Sequence, residues 1–457
     1  MSLPPVASWM LEQEARALLT RLSLVKPLVL EGPMVPAAGL LPAPQLAIER
    51  FLTAGRRHLH TLINGFLTWL RSPAGLAADV EEAQRRFTTL RLRFLRVLTH
   101  FDLFENVVAQ RSDAQTGVWL SGLDNIAADA LRLRGGYFAP PPIVCYLDHG
   151  MGAAIRRART RLPGGGLNPV AIVKIPRERL VGSGITSSLF HEVGHQAAAL
   201  LGLVESLRPV LRDITESSRS DDRTWRLWER WISEIVADVW SVARAGIAST
   251  MGLIGVVSVP RPFVFRLSPD DPHPPPYIRV KLSAALGNRF YPQPAWGRLV
   301  SLWESYYPID RLNEAQRRVF EKLERSIPTL VDILVNHTPT ALKGDTLITA
   351  LDTDELQPAR LRQLLQTWRA NPQDMYRTRA IVTFAALGQG RADGRLTPEE
   401  ESAVITKLLT YWALQSTLFV TAGCPDCGAP VSSLPHVHHD NTNALKGPGH
   451  ARTKHPR

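Results

Sequence analysis

The feature that most constrains this 457-residue chain is five residues long: His191-Glu192-Val193-Gly194-His195. Residues four apart share one face of an α-helix, so both imidazoles can reach a single ion only if this segment is helical. The flanks agree, with Ser187-Ser188-Leu189-Phe190 before it and Gln196-Ala197-Ala198-Ala199-Leu200-Leu201 after it. Glu192, one residue on from the first histidine, can address a metal-activated water from the side and take its proton. The bland alternative is a helix with satisfied or exposed histidines.

A catalytic zinc ion needs a third protein ligand and one open position. Trp231-Ile232-Ser233-Glu234-Ile235-Val236-Ala237-Asp238 offers that ligand in the form E-x-x-x-D, with both acids on one helical face. Glu234 is the expected ligand. Asp238 is expected to accept the second ring N–H of a ligand histidine, His191 first, which fixes its tautomer and raises its basicity. Two acids in so apolar a segment require partners; a structural salt bridge is the competing explanation. Downstream, His273 in Asp271-Pro272-His273-Pro274-Pro275-Pro276 can hydrogen-bond the oxyanion of a tetrahedral intermediate, and Arg279 can pair with Glu234 or support that oxyanion. By itself this segment reads more readily as an ordinary rigid loop.

Taken in order, H-E-x-x-H, E-x-x-A-D and H-P-P-x-x-x-R resemble the gluzincin zinc metallopeptidase family that contains the CaaX-prenyl-protein protease and the heat-shock membrane protease. The resemblance covers residues 140–290, about a third of the chain. It implies zinc ligands at His191, His195 and Glu234, a catalytic Glu192, and transition-state support from His273 and Arg279. It also implies that the strand Val170–Ile175 is the sheet edge on which a polypeptide substrate pairs as an added strand. Members of that family often carry several membrane spans, and none is expected here, so their membrane substrates do not transfer. A metzincin would have glycine at position 198 and histidine at 201, where Ala198 and Leu201 stand. The G-x-M-E-N signature of the aminopeptidase gluzincins is absent. An endopeptidase is the expected form.

The fold class expected is α+β: a small sheet with the motif helix, zincin-like, flanked by mostly helical regions. Residues 1–134 read as an N-terminal helical region, with a helix over 1–27, a proline-rich linker and a long Arg- and Leu-rich helix over 76–106. Residues 135–291 form the candidate catalytic domain. Within it Ile143–Leu147 and Val170–Ile175 read as strands, and Met151–Thr160 as a helix between them. Residues 292–420 are again helical, and 421–457 lack periodicity and read as a tail.

Hydrophobic residues at 45% and charged residues at 21% are ordinary for a folded soluble protein. The excess of 53 Lys+Arg over 42 Asp+Glu, net +11, favours acidic partners without naming one. Its basic runs, Arg85 to Arg96 and Arg156-Arg157-Ala158-Arg159, read as solvated helix faces before they read as a nucleic-acid footprint. With three cysteines, no signal-peptide pattern, and a longest uncharged stretch of Ala245–Pro260, a cytoplasmic chain with a buried core helix there is expected. Cys145 falls in a strand and reads as packing. Cys424 and Cys427 resemble one knuckle of a zinc ribbon; His436, His438 or His439 would complete a second, structural zinc site. Gln389–Glu400 faintly echoes a calcium loop, but Thr397, Pro398 and Glu400 explain it better as a helix start. Two other functions compete: a non-catalytic zinc-binding scaffold, and a basic nucleic-acid-binding protein with an incidental motif.

Overall fold

The computed structural model describes residues 3–25, 34–150, 152–162, 165–177, 182–217, 222–268 and 270–421. The chain begins with α1 (Pro5–Leu24), α2 (Pro42–Leu70), α3 (Pro73–Ala77), α4 (Val80–Ala109) and α5 (Ala114–Leu131). Strands β1 (Ile143–Asp148), β2 (Ala154–Arg156) and β3 (Ala171–Pro176) precede α6 (Ile185–Leu201), α7 (Leu203–Ser217), α8 (Asp222–Ala245), α9 (Ile247–Val257) and α10 (Arg261–Val264). Then come α11 (Pro276–Phe290), α12 (Ala295–Tyr306), α13 (Glu314–Val335), α14 (Leu347–Leu351), α15 (Pro358–Ala370), α16 (Gln373–Arg377), α17 (Ala380–Ala392) and α18 (Pro398–Thr421). The architecture is α+β: mostly helical, with one small mixed sheet.

Local chemistry explains several starts and stops. Asp79 caps α4 by accepting from the Glu82 N–H, with Glu81 and Glu82 favourably placed in the first turn. Thr397 and Glu400 form a reciprocal capping box on α18. Asp393 in the same stretch is engaged by Arg362 at 2.7 and 3.0 Å, which agrees with a helix start and not a calcium loop. The uncharged stretch forms α9, largely buried, and among the described residues no helix is long and apolar enough to cross a membrane.

α1, α2 and α4 share an apolar core of their own, built from residues such as Leu18, Ile63 and Phe94. The main core runs from Leu120 to Trp412. It therefore crosses both divisions drawn from sequence texture, at 134/135 and at 291/292, and takes in α5 on one side and α18 on the other.

The sheet order is β1-β3-β2, with β1 and β3 parallel and β2 and β3 antiparallel. β1 and β3 are near-continuous apolar runs because both their faces are covered. Ile143, Cys145, Leu147, Ala171, Val173 and Ile175 face the main core, whereas Val144 and Ile172 join Ile48, Leu52, Phe101 and Phe104 of α2 and α4. Two sequence expectations fail here. Residues 152–160 are not a helix: β2 occupies Ala154–Arg156. So short a helix is marginal alone, and β3 offers its unpaired backbone edge to the same residues. For the same reason the strand Val170–Ile175 is no sheet edge; as β3 it is the central strand.

The two true edges differ. Along β1, Gln110 donates to the Leu147 carbonyl at 2.6 Å and accepts from its N–H at 2.8 Å. Beside it, Asp124 accepts from the Cys145 N–H at 2.7 Å and Arg111 donates to the Cys145 carbonyl at 3.1 Å. Side chains thus seal that edge. Outside its ladder with β3, β2 receives among the described residues one backbone contact, from Asn168 to the Arg156 carbonyl at 3.2 Å. That edge is open.

Candidate metal centre

The site is built on two crossing helices, α6 and α8, and what allows them to cross closely is small residues. A Cβ on Gly194 would lie 2.9 Å from the Cα and carbonyl oxygen of Ala237 and from the Trp240 Cβ. The fourth residue of one motif and the alanine of the other therefore allow the close approach. With α6 ended by Gly202 in the left-handed conformation (φ 62°), the motif residues are held on a straight, buried helix.

His191, His195 and Glu234 come together as a candidate metal-binding group, with ligand atoms all within 4.8 Å of one another. The Glu234 Oε2 lies 3.1 Å from His191 Nε2 and 3.5 Å from His195 Nε2. Tetrahedral zinc with bonds near 2.1 Å sets its ligand atoms about 3.4 Å apart, which the two spacings to Glu234 bracket. The two imidazole rings stand nearly perpendicular, with centroids 4.8 Å apart. Behind them His191 Nδ1 lies 2.8 Å from Asp238 Oδ1, the expected partner, while its Nε2 points to Glu234 Oε2.

No protein-family model, no curated protein and no solved structure matches this chain.

Electrostatics tie the group together. Burial works against the charge on His191, but Asp238 overrides it and raises the pKa to about 9. Burial opposes ionisation of Glu234 as well, and hydrogen bonds from His191, His195 and His273 reverse that and hold it well below the usual carboxylate range. Asp238 is likewise held low against its burial, by Arg279 and His191. Glu192 differs: it is buried, and desolvation lifts its pKa despite the nearby histidines. A carboxyl moved upward in this way is better matched to accepting and returning a proton.

Arg279 lies elsewhere than one of its expected places. It does not pair with Glu234; its guanidinium grips Asp238 in a two-pronged contact, Nε to Oδ2 at 2.7 Å and Nη2 to Oδ1 at 2.8 Å. The reason is geometric, since the fork of a guanidinium matches both oxygens of one carboxylate. His273 is half-exposed and reaches Glu234 Oε2 with its Nε2 at 3.2 Å. Sequence reading missed what holds it. Asp271 Oδ1 accepts from both the backbone N–H of His273 (3.0 Å) and its Nδ1 (2.9 Å). An Asp two residues before a histidine, across a proline, is the local signal for such a turn. It also missed Gln196, next to His195, whose Oε1 accepts from the Ala158 N–H at 2.8 Å and pins the segment after β2 to α6. Cys145 is buried in β1 as expected. Cys424, Cys427, His436 and His438 lie outside the described residues.

Proposed function

We propose that this chain is a zinc-dependent endopeptidase, with His191, His195 and Glu234 as metal ligands and Glu192 as general base. The observation that carries the reading is the convergence of these three donors with Asp238 behind His191 and a buried Glu192 whose pKa is lifted by desolvation. Two imidazoles and one carboxylate form a donor set suited to catalytic zinc, with a coordination position left for water or substrate. When bound there, zinc supplies Lewis acidity and an activated water at neutral pH. The chain's own residues do the rest. Glu192 takes the proton and delivers it to the leaving amine. Asp238 keeps His191 in the tautomer that presents Nε2, and Arg279 holds Asp238 in place. His273, steadied by Asp271 at the mouth of the site, is positioned to hydrogen-bond the carbonyl oxygen as it gains charge. The open edge of β2, pinned beside α6 through Gln196, offers an extended substrate a backbone to pair with. The resemblance of the three motifs to the gluzincins supports the same assignment, with β2 in place of β3 as the receiving edge. A non-catalytic scaffold would give the buried Glu192 no task.

The test pairs metal analysis with cleavage of an unstructured protein substrate. Wild type is expected to carry about one zinc per chain. Glu192→Gln is expected to retain that metal and lose cleavage by about a hundredfold or more. Full activity in Glu192→Gln, or no metal in the wild type after supplementation, would sink the proposal.

A further inference from the structure

The rim of the β2 edge carries charge of one sign. Between His149 and Arg177 the sequence holds Arg156, Arg157, Arg159, Arg161 and Lys174 and not one Asp or Glu. Arg156, Arg157, Arg159 and Arg161 are exposed, on β2 and on the turn that follows it. Among the described residues none of these arginines has a carboxylate within ion-pair distance; the guanidinium of Arg159 reaches only the Ala139 carbonyl, at 3.4 Å. Arg159 also keeps a left-handed backbone, φ 62°, at a position glycine would occupy with less strain. Elsewhere the chain pairs its arginines when a carboxylate is near, as in Arg362–Asp393 and Arg379–Asp129. Like charges crowded beside an unfilled strand edge repel each other and attract an extended anion.

We propose that the substrate is an acidic polypeptide segment, added as a strand to the free edge of β2, with Asp or Glu side chains set against Arg156, Arg157 and Arg159. The inference rests on the peptidase reading and names its substrate class. Main-chain pairing supplies register without regard to sequence, and the arginines supply the preference. Because all are exposed, the preference is carried by several weak, screened attractions and not by one strong pair.

The test is fluorescence anisotropy on the full-length, zinc-loaded Glu192→Gln chain, with two labelled extended peptides that differ only in Glu against Gln flanking the central bond. The acidic peptide is expected to bind about tenfold more tightly at low ionic strength, a gap that closes in high salt. The Arg156→Gln/Arg157→Gln/Arg159→Gln variant is expected to bind the two peptides alike. Arg156→Gln/Arg157→Gln serves as a second variant that leaves the strained Arg159 in place and narrows the gap. Equal affinities in the unsubstituted rim overturn the acidic class even if wild type cleaves both peptides. Arginine-dependent binding of mixed-sequence RNA with no peptide binding overturns it as well. Acidic-peptide binding beside a wild type that cleaves nothing keeps the ligand and removes the chemistry, so the two readings fail separately.

Discussion

Two charged regions, the wall of the candidate metal centre and the arginine rim of β2, obey opposite rules. In the wall of the metal centre, Asp238, Arg279, His191 and Glu234 are largely buried, and each has at least one charged partner within 3.1 Å. On the rim, Arg156, Arg157 and Arg161 are exposed and carry no ion pair among the described residues. Burial makes the difference. A charge removed from water needs a partner held in fixed geometry, while a solvated one can wait for a ligand. The wall is therefore complete within the fold, and the rim keeps its charges toward solvent.

The largest effect that tests this contrast is expected at Asp238. Asp238→Ala leaves Arg279 buried without its carboxylate and is expected to cost about 3–5 kcal/mol in denaturant unfolding. It should also weaken zinc binding by about 10- to 100-fold, because His191 loses its orienting acceptor. Adding Arg279→Met should return part of the stability, since the stranded charge is removed with its partner. A cost no larger than that of a rim substitution would erase the distinction between the two regions.

A smaller effect separates them by pH. His191 has its folded pKa raised from 6.5 to about 9 by Asp238. A group raised in this way contributes stability that is complete below pH 6.5 and disappears as pH climbs through about 9. The metal-free protein is accordingly expected to lose denaturant resistance between these values, and zinc uptake in the same window is expected to release protons. A flat stability profile across that window in metal-free protein would remove the His191–Asp238 coupling from the account.

The smallest effect belongs to the rim. Arg156→Ser and Arg157→Ser, singly, are expected to shift unfolding by within about 0.5 kcal/mol, measured by the same titration. A larger loss would show that the rim arginines support the fold, and the contrast would narrow from that side.

Much of the site was legible because its candidate ligands lie on helices. A helix fixes the i, i+4 relation within one segment, so His191/His195 and Glu234/Asp238 could each be read as one face. The pairing of His191 with Asp238 followed from what a ligand imidazole and a buried acid each need. Gly194 and Ala237 were visible only as letters of their motifs; that they are the contact between α6 and α8 depends on where the two helices cross. The strands β1 and β3 were readable as apolar runs, and the helix starts at Asp79 and Thr397 carry their caps in the sequence.

β2 was not legible, because Met151–Thr160 contains good helix formers and its conformation is chosen by a neighbour twenty residues away. Nor could the sequence choose between carboxylates for Arg279, since Glu234 and Asp238 are one helical turn apart and only the position of α11 selects the second. The same holds for the edges of the sheet: Gln110, Arg111 and Asp124 seal β1 from helices whose packing no local pattern encodes. By itself the sequence determined which residues meet within a helix and which chemistry their donors suit, because those relations are short-range and periodic. Which strand lies at the edge, which acid the arginine grips and which edge stays open were decided by the tertiary structure, where distant segments compete for the same backbone groups and charges.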